Sequence, residues 1–248
     1  MSKLSIGQND VVKTSTKRRN LIFKVNPTYQ RQKFVVDYVA NHEGQAGIIY
    51  CSTRKQVEEL HEALNNEKIK STIYHAGLTN KERIEAQNDF LYDRVEVVIA
   101  TNAFGMGIDK SNVRYVIHYN MPGDLESYYQ EAGRAGRDGL KSECILLFSE
   151  RDKGLHEYFI TVSQADDDYK DKMGEKLTKM IQYTKTKKCL EATIVHYFEP
   201  NENLEECNQC SNCIQENKTY DMTREAKMII SCIARMTVSY THLTLPTK

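Results

Sequence analysis

The sequence predicts an α/β fold: a mostly parallel sheet with helices on both faces, followed by a small helical subdomain that holds a metal ion and by the beginning of a further domain. Three observations carry this expectation. Short β-rich apolar runs alternate with amphipathic helical stretches as far as Phe148, the pattern of strands joined by helical crossovers. Beyond Phe148 no strand-like run appears until the tail, and helical periodicity takes over. Late in the chain Cys207, Cys210 and Cys213 form CNQCSNC, two consecutive C-x2-C steps, with Cys189 upstream.

Taken in order, residues 1–26 show no clean periodicity, carry a basic run at Lys17, Arg18 and Arg19, and read as a connector. Phe34, Val35, Tyr38 and Val39 make the apolar stripe of a helix. AGIIYC, Ala46 to Cys51, is a buried strand, and Val57, Leu60 and Leu64 mark an amphipathic helix. Ser71 to Tyr74 is a short strand, Ile84, Gln87, Phe90 and Leu91 lie along the next helix, and Val95 to Ala100 is a strong strand. RYVIHY, Arg114 to Tyr119, is another strand, broken by Pro122 and Gly123. A helix is expected through SYYQEAGRAGRDG, Ser127 to Gly139, before the last strand, Glu143 to Phe148. Asp166, Asp167 and Asp168 mark a boundary. Met173, Leu177, Met180 and Ile181, then Leu190, Ile194, Tyr197 and Phe198, form a helical pair that Pro200 ends.

Composition narrows the partners. With 34 basic and 34 acidic residues the formal net charge is zero, so nucleic-acid binding has to come from local placement of Arg, Lys and backbone N–H groups. No apolar run approaches the roughly 20 residues of a membrane span, and MSKLSIGQND lacks the apolar region of a signal peptide. The expectation is no membrane partner and a cytoplasmic location, nucleoid-associated if the source is bacterial. Seven cysteines, four of them clustered late, suit a reducing compartment and a metal site better than a disulfide framework.

Four thiolates from Cys189, Cys207, Cys210 and Cys213 match the ligand set of a structural Zn2+, with an iron–sulfur cluster as the competing assignment. Cys51, Cys144 and Cys232 fall in apolar runs and read as small core residues. In the arginine stretch, Gln130, Arg134 and Arg137 are spaced i, i+4, i+7 and would share one helical face, with Gly133 and Gly136 clearing room for a phosphoryl group. The competing reading is a solvated helix of alternating charge.

VVIATNAFGMGIDK, Val97 to Lys110, breaks from a strand into a loop with Gly105 and Gly107. Together with QEAGRAGRDG it closely resembles motifs V and VI of the RecQ family of DNA helicases. IIYCSTRKQVEEL, Ile48 to Leu60, resembles motif IV, and YHAGL, Tyr74 to Leu78, the short loop between motifs IV and V. The resemblance covers about residues 20–236. It implies a RecA-like lobe of an ATP-dependent 3′-to-5′ DNA helicase acting in recombination, repair, replication and the SOS response. By the same resemblance Arg134 and Arg137 face the γ-phosphate, Arg137 being the arginine finger, and Gln130 senses the same phosphates. Gly107 and Asp109 belong to the ATP site, although Asp109 also reads as a helix cap. Ser52, Arg54, His75, Thr101 and Asn102 grip one DNA strand, although His75 taken alone reads as a structural histidine. The sequence departs from the family at Leu190 and Glu191, where basic residues are usual after the first cysteine.

No G-x-x-x-x-G-K-[ST] phosphate loop and no Asp-Glu pair for Mg2+ occurs in the chain. ATP and Mg2+ are therefore expected to bind only together with a first lobe. The expected organisation is a connector from that lobe at 1–26, making Met1 an unlikely parental start, the second lobe at 27–150, a zinc-binding subdomain at 151–218 and the start of a winged helix at 219–236. Residues 237–248 are read as a non-native tail, since the codons of a transposase-type sequencing adapter encode Thr237 to Thr247 in order. The expected partners are single-stranded DNA, duplex junctions and a single-strand-binding protein, and the expected state is a monomer. Loss of the metal is expected to unfold the region after Asp168 while sparing the sheet. Two rival readings are a superfamily-2 RNA helicase lobe and a zinc-containing nucleic-acid-binding adaptor without ATPase activity.

Overall fold

The computed structural model describes residues 16–105, 109–201, 205–214 and 223–239. Among these, β1 (Leu21–Pro27), β2 (Ala46–Tyr50), β3 (Ser71–Tyr74), β4 (Val97–Ala100), β5 (Val113–His118) and β6 (Ser142–Phe148) form one sheet in the order β1-β6-β5-β2-β4-β3. Every adjacent pair is parallel. The expected strands are all present, and β1 is a correction. Residues 21–26 were read as connector, yet Leu21 to Pro27 pairs along its whole length with β6. A seven-residue run whose partner lies more than a hundred positions away has no local signature.

The helices are α1 (Arg31–Ala40), α2 (Arg54–Asn66), α3 (Asn80–Leu91), α4 (Leu125–Ala132), α5 (Glu150–Val162), α6 (Asp167–Lys185), α7 (Leu190–Phe198), α8 (Ser211–Ile214) and α9 (Thr223–Ser239). Side chains start several of them. Thr53 accepts from Gln56 N at 3.2 Å, and Thr79 forms a reciprocal capping box with Glu82, each satisfying backbone donors that a helix leaves unpaired.

Strand side chains alternate between two apolar layers. Ile48, Tyr50, Val98, Ala100, Val116, Cys144 and Leu146 face one layer, and Ile49, Val97, Ile99, Tyr115, Ile117, Ile145 and Leu147 face the other. The second layer is closed by Val35 and Val39 of α1 and by Val57, Leu60 and Leu64 of α2. The first is closed by Phe90 of α3, by Leu125, Tyr128 and Ala132 of α4, and also by Leu177, Met180 and Tyr183 of α6 and Leu190 and Ile194 of α7. The boundary expected at residue 150 is thus no break in packing: the described residues up to Ile214 form one compact unit, and α9 belongs to a second. Ile84 of α3 is exposed, so the apolar side of that helix is Ala86 and Phe90. Cys51 and Cys144 are buried as expected, whereas Cys232 on α9 is exposed. The tail expectation falls mostly outside the described residues; α9 runs through Thr237 to Ser239.

Because Met180 is fully buried in a layer shared with the sheet, Met180→Ala should cost about 2–5 kcal/mol. The loss should lower one common urea transition. Far-UV circular dichroism and a fluorescent label on β2 should report the same midpoint.

Candidate functional site

The arginine segment is built differently from the continuous helix its spacing suggests. α4 opens on Asp124, whose carboxylate accepts from Ser127 N at 2.6 Å, and stops at Gly133. Residues 134–139 run in turns, so Gln130, Arg134 and Arg137 do not share a helical face. The physical reason is Gly136, which adopts φ +56, and where a Cβ would lie 2.5 Å from Asn20 Nδ2 and 2.7 Å from Leu140 O. Only glycine accepts that conformation in that space.

The two arginines take separate places. Arg134 turns inward and its Nη1 donates to Gly105 O at 2.6 Å; a Cβ on Gly105 would lie 2.3 Å from Arg134 Nη2. Arg137 faces solvent, its Nη1 donating to Asp109 Oδ1 at 2.7 Å, with side-chain exposures of 38% and 84%. Gln130 is exposed on α4. Gly107 lies outside the described residues. Gly136 N donates to Val113 O at 2.9 Å and Asp138 N to Ser111 O at 3.3 Å, which sets the turn at the amino ends of β5 and β6. A hydrogen bond from Arg114 holds the Asp138 carboxyl below the usual carboxylate range.

The candidates for strand contact lie at the opposite edge. Ser52 follows β2, His75 follows β3, and Thr101 and Asn102 follow β4, all at carboxyl ends of a parallel sheet, where ligands gather. Backbone bonds tie these ends together: Cys51 N to Ala100 O at 2.8 Å and Thr101 N to Tyr74 O at 3.1 Å. A cleft of about 300 Å³ is lined by Ser52, Asn102, His118, Asn120 and Ser127, among others. Arg54 is exposed at the start of α2, and a Cβ on Gly77 would lie 3.0 Å from its Nη1. His75 is 4% exposed; its Nδ1 accepts from Gly77 N at 3.2 Å and its Nε2 faces Glu58 at 3.6 Å. Its ring braces the YHAGL turn from inside, while Ser52, Arg54, Thr101 and Asn102 keep surface access.

The four late cysteines converge. Their sulfurs all lie within 4.8 Å of one another, with Cys210 to Cys213 at 3.4 Å and Cys207 to Cys213 at 4.0 Å. Tetrahedral thiolates about 2.3 Å from a zinc ion stand roughly 3.8 Å apart, so the cluster fits that ion. Leu190 N points at Cys210 Sγ, Cys207 N at Cys189 Sγ and Cys210 N at Cys207 Sγ, each at 3.3 Å. Against burial, backbone N–H groups of Leu190 and Cys213 hold the Cys210 thiol below its ordinary value, whereas burial pushes the Cys207 and Cys213 thiols up.

Comparison with known proteins matches two family models to successive parts of the chain. Residues 30–139 match the family described as "Helicase conserved C-terminal domain", and residues 150–214 match "RecQ zinc-binding". The chain belongs to the RecQ helicase family. It is 44% identical to "ATP-dependent DNA helicase RecQ" of Bacillus subtilis over 94% of this chain and 39% of that protein. It is 37% identical to the protein of that name from Pasteurella multocida over 88% of this chain and 34% of the other. The chain therefore spans under half the length of these relatives. In fold, residues of the sheet region resemble a solved structure described as "S. cerevisiae Dbp5 L327V bound to RNA and ADP BeF3", with TM-score 0.53 and 21% identity over 73% of this chain and 51% of that one. That likeness concerns the RecA-like fold alone.

In this RecQ-family chain the departure at Leu190 and Glu191 has a structural reason. Both are buried, at 1% and 3% exposure, so at these two positions the opening of α7 is packing surface. Sequence reasoning missed a buried network behind Ser52. Ser52 N donates to Asn120 Oδ1 at 3.0 Å, Asn120 Nδ2 donates to Asp152 Oδ1 at 3.3 Å, and Asp152 is ion-paired with Arg31. It also missed Arg18 and Asn20, which donate to carbonyls of the arginine turn; a basic run ahead of an apolar one was their only trace.

Substituting Gly136 tests the turn. Gly136→Ala should cost about 1–3 kcal/mol through its positive φ and the crowding at Asn20. Urea denaturation reads the loss, and a stability unchanged to within about 0.5 kcal/mol would place the turn elsewhere.

Proposed function

We propose that this chain supplies one half of an ATP-dependent DNA helicase motor: the arginine side of the nucleotide site at one sheet edge and a strand-gripping surface at the other. The observation that carries the reading is Arg137, an exposed guanidinium on a sterically fixed turn, whose partner among the described residues is the still more exposed Asp109. An exposed pair of this kind is worth roughly 0–1 kcal/mol, so the guanidinium is free to exchange the carboxylate for a phosphoryl group. Its planar fork suits the charge that develops on a transferring γ-phosphoryl. Arg134 is committed to Gly105 O and acts by holding the loop that also carries Thr101, Asn102 and Asp109. Gln130, exposed on α4, stands one turn before the arginines.

The phosphate loop and the carboxylates for Mg2+ are assigned to a separate lobe, because neither motif occurs in this sequence. Ser52, Arg54, Thr101 and Asn102 contact phosphates through hydroxyl, guanidinium and amide groups, which position a strand without reading its bases. Most of the relatives' printed names, DNA helicases with one putative RNA helicase among them, favour this reading over an RNA helicase lobe, and the exposed Arg137 favours it over an inert adaptor. Zinc, when bound by the four thiolates, supplies a cross-link that orders the loop between α7 and α8.

Two measurements test the reading. The chain alone should show no DNA-stimulated ATP hydrolysis, while joining it to a phosphate-loop-bearing lobe should restore turnover. Arg137→Ala in the joined protein should still bind nucleotide but lose about 10³-fold or more in kcat. Turnover by the isolated chain, or turnover that survives Arg137→Ala, would overturn it.

Metal analysis should find one zinc per chain. Because Cys189 and Cys210 lie in the same apolar layer as the sheet, Cys210→Ser should destabilise the whole unit up to Ile214. That outcome differs from the expectation that the sheet is spared. Iron in the purified protein, or a fully stable metal-free chain, would refute the assignment.

A further inference from the structure

The short segment ahead of β1, Thr16 to Asn20, is tied to three parts of the molecule. Arg18 Nη1 donates to Gly133 O at 2.8 Å, and its Nη2 donates to Ala135 O at 3.1 Å and to Gly136 O at 2.9 Å. Asn20 Nδ2 donates to Gly136 O at 2.8 Å and Leu140 O at 3.0 Å. The segment's own backbone is held in turn. Gln209, between two of the clustered cysteines, donates through Nε2 to Arg19 O at 2.8 Å and Leu21 O at 3.3 Å. Thr16 N donates to Glu199 Oε1 at 2.9 Å, and Tyr129 OH donates to Thr16 O.

We propose that Arg18 is a positioning residue for the arginine turn: by clamping the carbonyls of Gly133, Ala135 and Gly136 it fixes where Arg137 stands, and Gln209 of the cysteine loop fixes where Arg18 stands. The physics is local. The end of α4 leaves carbonyls without helical partners, and its last turn carries no basic side chain of its own. A guanidinium from a distant segment supplies both the missing donors and the positive charge that this end of a helix dipole favours. A lysine has one charged point and no fork, so it cannot span three carbonyls at once. Arg18 touches neither nucleotide nor Arg137; it acts through the backbone of residues 133–136.

The kinetic half of the test rests on the motor reading above; the exchange half does not. In the chain as it stands, Arg18→Ala should speed amide hydrogen exchange in residues 133–140 by about tenfold or more, with β2, α2 and the zinc content unchanged. Gln209→Ala should produce a smaller increase in the same residues. Arg19→Ala, which removes the same charge one position on, should leave them unchanged. In the chain joined to a phosphate-loop lobe, Arg18→Ala should lower kcat for ATP about 10- to 100-fold, the scale of a misplaced catalytic group, with KM within about twofold. Arg18→Lys should fall between. Unchanged exchange in residues 133–140 with Arg18→Ala, or an equal effect from Arg19→Ala, overturns the proposal. If Arg18→Ala fails to fold, Asn20→Ala and Arg18→Lys carry the same exchange test. A joined wild-type protein without ATPase activity would refute the motor reading and leave the exchange result to judge Arg18.

Discussion

One apolar layer on a single face of the sheet ties the lobe to the helices that carry the late cysteines. Phe23 of β1 sits 6.3 Å from the Tyr128 ring and 6.4 Å from that of Tyr129, and Tyr128 in turn sits 5.5 Å from Tyr183 of α6. The same layer reaches Cys144, Cys189 and Cys210. Close packing transmits strain across such a layer, so the lobe, the arginine helix α4 and the cysteine-bearing region form one unit. Buried tyrosine hydroxyls and cysteines here are pushed far toward their neutral forms by desolvation. Their part is to fill and orient, leaving ionic chemistry to the rims.

Those rims divide the labour. At the carboxyl edge, short loops after β2, β3 and β4 present hydroxyl, amide and guanidinium groups around a cleft. At the amino edge, the turn after α4 presents Arg137. The loop between β4 and β5 serves both: it leaves the first edge at Thr101 and Asn102 and arrives at the second with Asp109. Arg134 holds it midway through Gly105 O, and Tyr50 OH donates to Phe104 O at 3.1 Å. A force at one end of that loop therefore has a covalent and hydrogen-bonded path to the other.

Charge is handled locally throughout. A chain of zero net charge offers no global attraction to DNA, and two of its buried charges are consumed in internal ion pairs. Asp152 is paired with Arg31, and Lys110 is paired with Asp93 at 2.6 Å. Leaving any of these unpaired in the interior would cost several kcal/mol, so they are structural.

The sequence by itself determined the strands and helices of the lobe, because alternating and 3.6-residue apolar periods are local consequences of how side chains leave a strand or a helix. It also determined the family, through four ordered motifs, and singled out the four late cysteines whose sulfurs converge. Only the tertiary structure decided the rest. It made Leu21 to Pro27 a strand, turned Arg134 inward and Arg137 outward, buried His75, Leu190 and Glu191, and merged the metal-binding helices with the core of the lobe. It also brought Arg18 onto the arginine turn. Each of these depends on which distant segments meet: a carbonyl needs a donor, or a face needs cover, and the partner lies far away in sequence. Periodicity records how a residue relates to its neighbours along the chain, and carries no information about the neighbours it acquires on folding.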